Sequence, residues 1–161
     1  MKRIILAILI SFTFVNVYSQ TIESLKSVDD LKEIQNSVKG KVVLYNFWAT
    51  WCKPCVTEFP ELVKLYKNYK DKDFVLVFIS LDATDEKKSK VIPFLEKHGV
   101  DFVSYINDFK NPEDLIDFYD KQWEGAIPST YIFNKEGVLS TKFIGSRDYE
   151  FFEQEIKKLI N

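Results

Sequence analysis

Phe47-Trp48-Ala49-Thr50-Trp51-Cys52-Lys53-Pro54-Cys55 is the stretch whose reading decides the fold. Before it, Val42 to Trp48 runs apolar with a single polar interruption at Asn46, the pattern of a strand buried on both faces. After it, Pro54 to Tyr69 returns to helical spacing through Val56, Phe59, Leu62, Val63 and Tyr66. Pro60 inside that span predicts a kink, because proline removes one backbone donor and crowds the preceding turn. Both cysteines therefore lie where a strand ends and a helix begins. A helix N-terminus leaves backbone N–H groups unpaired and carries about half a positive charge, which favours a thiolate on Cys52. Pro54 is tolerated in a first turn, and Lys53 adds a nearby cation whose exposed charge contributes little.

Thiolates are the nucleophiles of disulfide exchange. Lowering a thiol from roughly 8.5 to about 7 raises its ionised share at pH 7 from about 3% to about 50%, but softened nucleophilicity returns roughly fivefold of that. The larger effects are on leaving-group quality and redox balance. Cys55, one helical turn on, is placed to attack Cys52 and resolve a mixed disulfide. Other chemistries fit less well. A structural disulfide needs neither a helix mouth nor flanking tryptophans. Covalent haem attachment wants His after the second cysteine, where Val56 stands. A peroxidatic site wants Thr or Ser at position 49, which is Ala49. Copper(I) handling by two thiolates is a rival, although the only methionine is Met1 and the only histidine is His98. With one histidine and two cysteines, four-ligand zinc cannot be built from those residues alone. No metal and no cofactor are expected.

Working outward, Val28 to Val38 spaces Leu31, Ile34 and Val38 as an amphipathic helix, opened by Asp29 or Asp30 and stopped by Gly40. Phe74 to Ile79 is apolar throughout, as a central parallel strand should be. Asp85 to His98 reads as a helix ended by Gly99, with Pro93 as an alternative start. A short strand is expected at Asp101–Tyr105, and Asn111-Pro112 opens a helix through Tyr119. Ser129–Phe133 and Val138–Ile144 flank the turn Asn134-Lys135-Glu136-Gly137 and predict a hairpin. Asp148 caps a last helix carrying Phe151, Phe152, Ile156, Leu159 and Ile160. The order α-β-α-β-α-(β)-α-β-β-α predicts an α/β fold. Its mixed central sheet combines a parallel β-α-β unit with an antiparallel β-hairpin, and helices cover both faces.

The N-terminus reads differently. Lys2 and Arg3 precede an unbroken apolar run, Ile4 to Ile10, and Val17-Tyr18-Ser19 offers a cleavage site, so residues 1–19 are expected to be a secretory signal peptide. An uncleaved N-terminal membrane anchor is the alternative, and a membrane partner is expected only then. Residues 20–161 form the domain. Export to the periplasm or another extracytoplasmic space would place the thiols where disulfides persist. The balance of 22 basic against 24 acidic residues excludes a basic field, so no nucleic-acid partner is expected.

The cysteine segment together with Glu58-Phe59-Pro60 resembles exported thioredoxin-like proteins of the TlpA/ResA type. Gly125-Ala126-Ile127-Pro128-Ser129-Thr130-Tyr131-Ile132-Phe133, followed by Lys135-Glu136-Gly137, is similar to their second signature. The resemblance covers roughly residues 25–160. It implies a thioredoxin-like fold and an exchangeable, redox-active Cys52–Cys55 disulfide. It also implies a reducing role toward protein disulfide substrates, with a membrane thiol reductant as electron donor, and an added segment between Asp82 and Tyr119. Pro128 would be cis and face the cysteines, leaving the Ile127 backbone free to pair with a substrate segment. Glu58 matches an acid that could tune the cysteines and shuttle a proton; it could equally be an early-helix carboxylate favoured by the dipole. Asn46 stands where cytoplasmic thioredoxins carry a buried acid. Trp51 is expected on the docking surface and Trp48 in the core. Trp123 either borders the site or plugs a groove, and His98, with no catalytic part, would complement the carbonyl end of its helix. Besides copper handling, a non-catalytic interaction domain remains a rival.

Overall fold

Strand β2 (Val42–Trp48) is buried along its whole length, which requires a strand neighbour on each side and a packed layer on each face. In the computed structural model, which describes residues 21–160, it has both. The expected signal segment lies outside the described residues. β3 (Phe74–Ser80) pairs parallel with β2, from Val42 opposite Phe74 to Trp48 opposite Ser80. On the other side β5 (Ser129–Phe133) runs antiparallel, with Phe47 opposite Ser129. β1 (Ile22–Leu25), β4 (Ser104–Asn107) and β6 (Leu139–Ile144) complete a six-stranded mixed sheet in the order β1-β4-β3-β2-β5-β6.

Alternation along β2 sorts the core into two layers. Val42, Leu44 and Trp48 face the layer of α2 (Lys53–Tyr69), α3 (Ile92–Lys97) and α5 (Tyr149–Ile160). Val43, Tyr45 and Phe47 face the layer of α1 (Val28–Ser37) and α4 (Pro112–Tyr119). The fold is thioredoxin-like, with helices on both faces of the sheet.

Several boundaries differ from expectation. Ser27, not Asp29 or Asp30, caps α1: its hydroxyl accepts from Asp30 N–H while the Asp30 carboxylate accepts from Ser27 N–H, a reciprocal capping box. β1 was not foreseen, and β4 begins at Ser104 rather than Asp101, in register with β1 from Ile22 onward. Between Asp85 and His98 the chain is not one helix. A 3₁₀ turn (Thr84–Glu86) and a π turn (Lys87–Val91) precede α3, which starts beside Pro93. Proline's ring would collide with the Ser89 carbonyl in a continuous α-helix, and the wider turn avoids this. Asn111 and Asp148 cap α4 and α5 as expected.

α2, which carries the cysteines at its start, is fastened to the sheet by aromatic packing. Phe59 is fully buried, stacks on Phe78 at 4.1 Å between ring centroids and lies 4.6 Å from the Trp48 ring. Phe59→Ala is therefore expected to cost about 3–5 kcal/mol in urea unfolding, whereas Val138→Ala, at an exposed position, should stay within about 0.5 kcal/mol.

Candidate active site

Cys52 is the N-cap of α2, in extended backbone geometry at φ −85° and ψ 100°. Its N–H donates to the Ala49 carbonyl at 3.2 Å, closing a turn at the end of β2. Its own carbonyl accepts from Val56 N–H at 3.0 Å and starts the helical ladder. The Cys55 N–H, one of the donors that a first turn leaves without an intrahelical acceptor, points at Cys52 Sγ at 3.3 Å. Sulfur thus fills the place that a serine or aspartate oxygen usually fills at a helix start. Cys52 and Cys55 are joined as a disulfide, with Cα atoms 5.2 Å apart. Cys52 is 6% exposed and Cys55 2%.

The second signature folds over this pair. The Ile127–Pro128 peptide is cis, and the Ile127 carbonyl oxygen lies 3.7 Å from Cys52 Sγ. This loop is held from behind. The Ala126 carbonyl accepts from the Trp123 indole N–H at 2.8 Å and from the Ser129 hydroxyl at 2.6 Å, and the Pro128 carbonyl accepts from Gly145 N–H at 2.8 Å. Trp123, buried against Phe47, therefore braces the proline loop from inside. Trp51 projects outward beside the cysteines, 64% exposed, while Trp48 is core as expected.

Glu58 lies one turn beyond Cys55 on α2 and is only 2% exposed. Asn46 Nδ2 donates to its Oε1 at 2.9 Å and to Thr130 Oγ1 at 3.1 Å; the Arg147 backbone N–H donates to its Oε2 at 2.8 Å. Burial pushes the Glu58 carboxyl up to about 7, against the opposing pull of these hydrogen bonds and of the Arg147 charge. A carboxyl titrating near neutrality is able to hold or release a proton under ordinary conditions. Asn46 thus orients an acid supplied by the helix, at the strand position where an acid was the alternative. The Arg147 hydrogen bond comes from its backbone N–H and so leaves no side-chain signature, although the guanidinium charge also lowers the Glu58 pKa.

His98 stands at the C-terminal end of α3, where its ring packs against Phe94 and Phe59 and burial, with the neighbouring Lys97 charge, lowers its pKa.

The AhpC/TSA family model matches residues 21–142. Thioredoxin-like protein YneN of Bacillus subtilis is 32% identical over 133 residues, covering 83% of this chain and 74% of the relative. Thiol-disulfide oxidoreductase ResA of Bacillus thuringiensis is 33% identical over 122 residues, covering 76% of this chain but 65% of ResA. The crystal structure of a thioredoxin-family thiol:disulfide interchange protein from Chlorobium tepidum superposes with a TM-score of 0.67 at 26% identity, over 79% of this chain and 85% of that one. With Cys52 and Cys55 bonded at the mouth of α2 beneath a cis proline, the chain belongs to the AhpC/TSA family, as a thioredoxin-like member similar to thioredoxin-like protein YneN and thiol-disulfide oxidoreductase ResA.

Proposed function

We propose that the protein is an exported thiol-disulfide oxidoreductase that reduces disulfides in other proteins. The observation that carries this reading is the approach of Cys52 Sγ, at the start of α2, to the Ile127 carbonyl beside cis Pro128. A sulfur so placed can meet a substrate strand laid along the Ile127 backbone, with Trp51 as a neighbouring apolar contact.

In the reduced protein, the Cys52 thiolate attacks one sulfur of the substrate disulfide. That S–S bond breaks, its electron pair leaves with the first substrate thiol, and a mixed disulfide remains on Cys52. Cys55 then attacks Cys52 Sγ and expels the second substrate thiol. Two electrons have passed to the substrate, and the product is the bonded Cys52–Cys55 pair. Glu58, on the same helix one turn past Cys55, takes up the Cys55 thiol proton as that sulfur becomes nucleophilic. A thiol reductant in the membrane restores the dithiol. Residues 1–19 direct the chain out of the cytoplasm, where oxidised substrates accumulate; whether cleaved or kept as an anchor, they leave the catalytic domain on the same side.

Two outcomes are expected. Purified domain with dithiothreitol as electron source should accelerate insulin disulfide reduction, and Cys52→Ser should return the rate to that of dithiothreitol alone; unchanged turnover in that variant would overturn the assignment. The second concerns Glu58. Its protonated form is favoured by folding, since the folded value near 7 lies above the ordinary 4.5. Its contribution to stability is complete below about pH 4.5 and is lost as pH rises through about 7, a differential of roughly 3 kcal/mol. Urea unfolding of wild type against Glu58→Gln at pH 5 and pH 8 should show the Gln variant gaining relative stability by about that amount at the higher pH.

A further inference from the structure

Asp82 stands just past β3, is 2% exposed, and directs its carboxylate at the turn that presents Cys52. Oδ1 and Oδ2 both accept from the Thr50 backbone N–H, at 3.2 and 3.0 Å. Oδ1 also accepts from the Thr50 hydroxyl at 2.5 Å, and Oδ2 from the Ser80 hydroxyl at 2.7 Å. Ser80 Oγ in turn accepts from Asp82 N–H at 3.0 Å. Beside this, Leu81 N–H donates to the Trp48 carbonyl at 2.8 Å. No cation lies within ion-pair distance of Asp82 among the described residues, so its direct partners are hydrogen-bond donors, with Lys90 acting only at longer range.

The arrangement is specific in what it holds. One carboxylate takes both the backbone donor and the hydroxyl donor of a single residue, fixing the position and the rotation of Thr50. Two residues later, Cys52 N–H closes the turn on Ala49. The turn bearing the attacking sulfur is thereby tied to β3, while the Ile127–Pro128 loop is tied separately, through Trp123, Ser129 and Gly145. Two independently anchored loops must keep one relative position for a substrate that engages both of them.

We propose that Asp82 is a positioning residue that keeps the Ala49–Cys52 turn in register with the Ile127–Pro128 loop, and so serves the attack on disulfides in docked polypeptides rather than on small disulfides. The inference rests on the oxidoreductase reading above. A protein disulfide contacts the Ile127 backbone and Cys52 together, so a small shift of the turn spoils its alignment; misplacement by about 1 Å is able to cost on the order of 100-fold. A small aromatic disulfide meets only the sulfur and does not sense the register.

The test compares kcat/KM for insulin and for 5,5′-dithiobis(2-nitrobenzoate) in the full domain. Asp82→Asn and Thr50→Val are each expected to lose about tenfold or more on insulin, with the aromatic disulfide within about twofold of wild type, while Thr50→Ser, which keeps both donors, retains both activities. Wild-type rates on insulin in Asp82→Asn and Thr50→Val would overturn the proposal, as would equal losses on both substrates, which mark general destabilisation. Should Asp82→Asn fail to fold, Thr50→Val against Thr50→Ser carries the comparison. Wild-type protein active on neither substrate would instead sink the oxidoreductase reading, and this one with it.

Discussion

The start of α2 is the constraint on which the rest depends. A helix that begins directly after a buried strand has free N–H groups and no room for solvent to satisfy all of them. Here the Cys55 N–H meets Cys52 Sγ, so the residue that caps the helix is also the one proposed to carry the chemistry. The interaction is worth more to an ionised sulfur than to a neutral one, because donors and the helix dipole both act on charge. Stability of the local fold and reactivity of the thiol therefore come from one contact. The surrounding architecture keeps that contact in place: Phe59 pins α2 to Trp48 and Phe78, and β2 is locked between β3 and β5.

Around this point the protein supplies three kinds of support from three distant parts of the chain. The proline loop comes from the connection before β5 and sets one wall. Asn46, itself bonded to Thr130, and the Arg147 backbone hold the Glu58 carboxyl one turn along the cysteines' own helix, where burial raises its pKa to about 7. Asp82 holds the turn in front. Sheet topology explains the convergence. Parallel β2 and β3 end on the same side of the sheet, and antiparallel β5 begins there, so the loop after β3 and the loop before β5 both reach the start of α2.

Much of this was legible before any coordinates. Periodicity located β2, β3, α2 and the last helix, because each buries a regular apolar face, while the turn Asn134–Gly137 located the hairpin, whose second strand is largely exposed. The short strand β1 was not, since Ile22–Leu25 has no strong pattern of its own and becomes a strand through pairing with β4, some eighty residues away. Ser27 escaped because two aspartates follow it and either looked like a cap. At the site, Cys52 and Cys55 stood out by residue type and spacing, Pro128 and Glu58 through the resemblance to the TlpA/ResA type, and Trp51 lies exposed beside the pair. Asp82 and the Arg147 backbone did not stand out. Ser80-Leu81-Asp82 after an apolar strand looks like ordinary turn chemistry, and a backbone N–H leaves no trace in sequence. The residues between the cysteines, Lys53 and Pro54, do not convert into a redox potential: about 150 mV, or roughly 7 kcal/mol, separates thioredoxin from the oxidant DsbA, which share the two-cysteine spacing.

The central claim is that one sulfur, at the helix mouth, is activated while its partner, a turn deeper, is held back until exchange begins. Brief alkylation of the fully reduced protein with limiting iodoacetamide at pH 7, followed by peptide mass analysis, reads this directly. The account predicts modification overwhelmingly at Cys52, with Cys55 reacting only after prolonged exposure; equal labelling of the two, or faster labelling of Cys55, would contradict it.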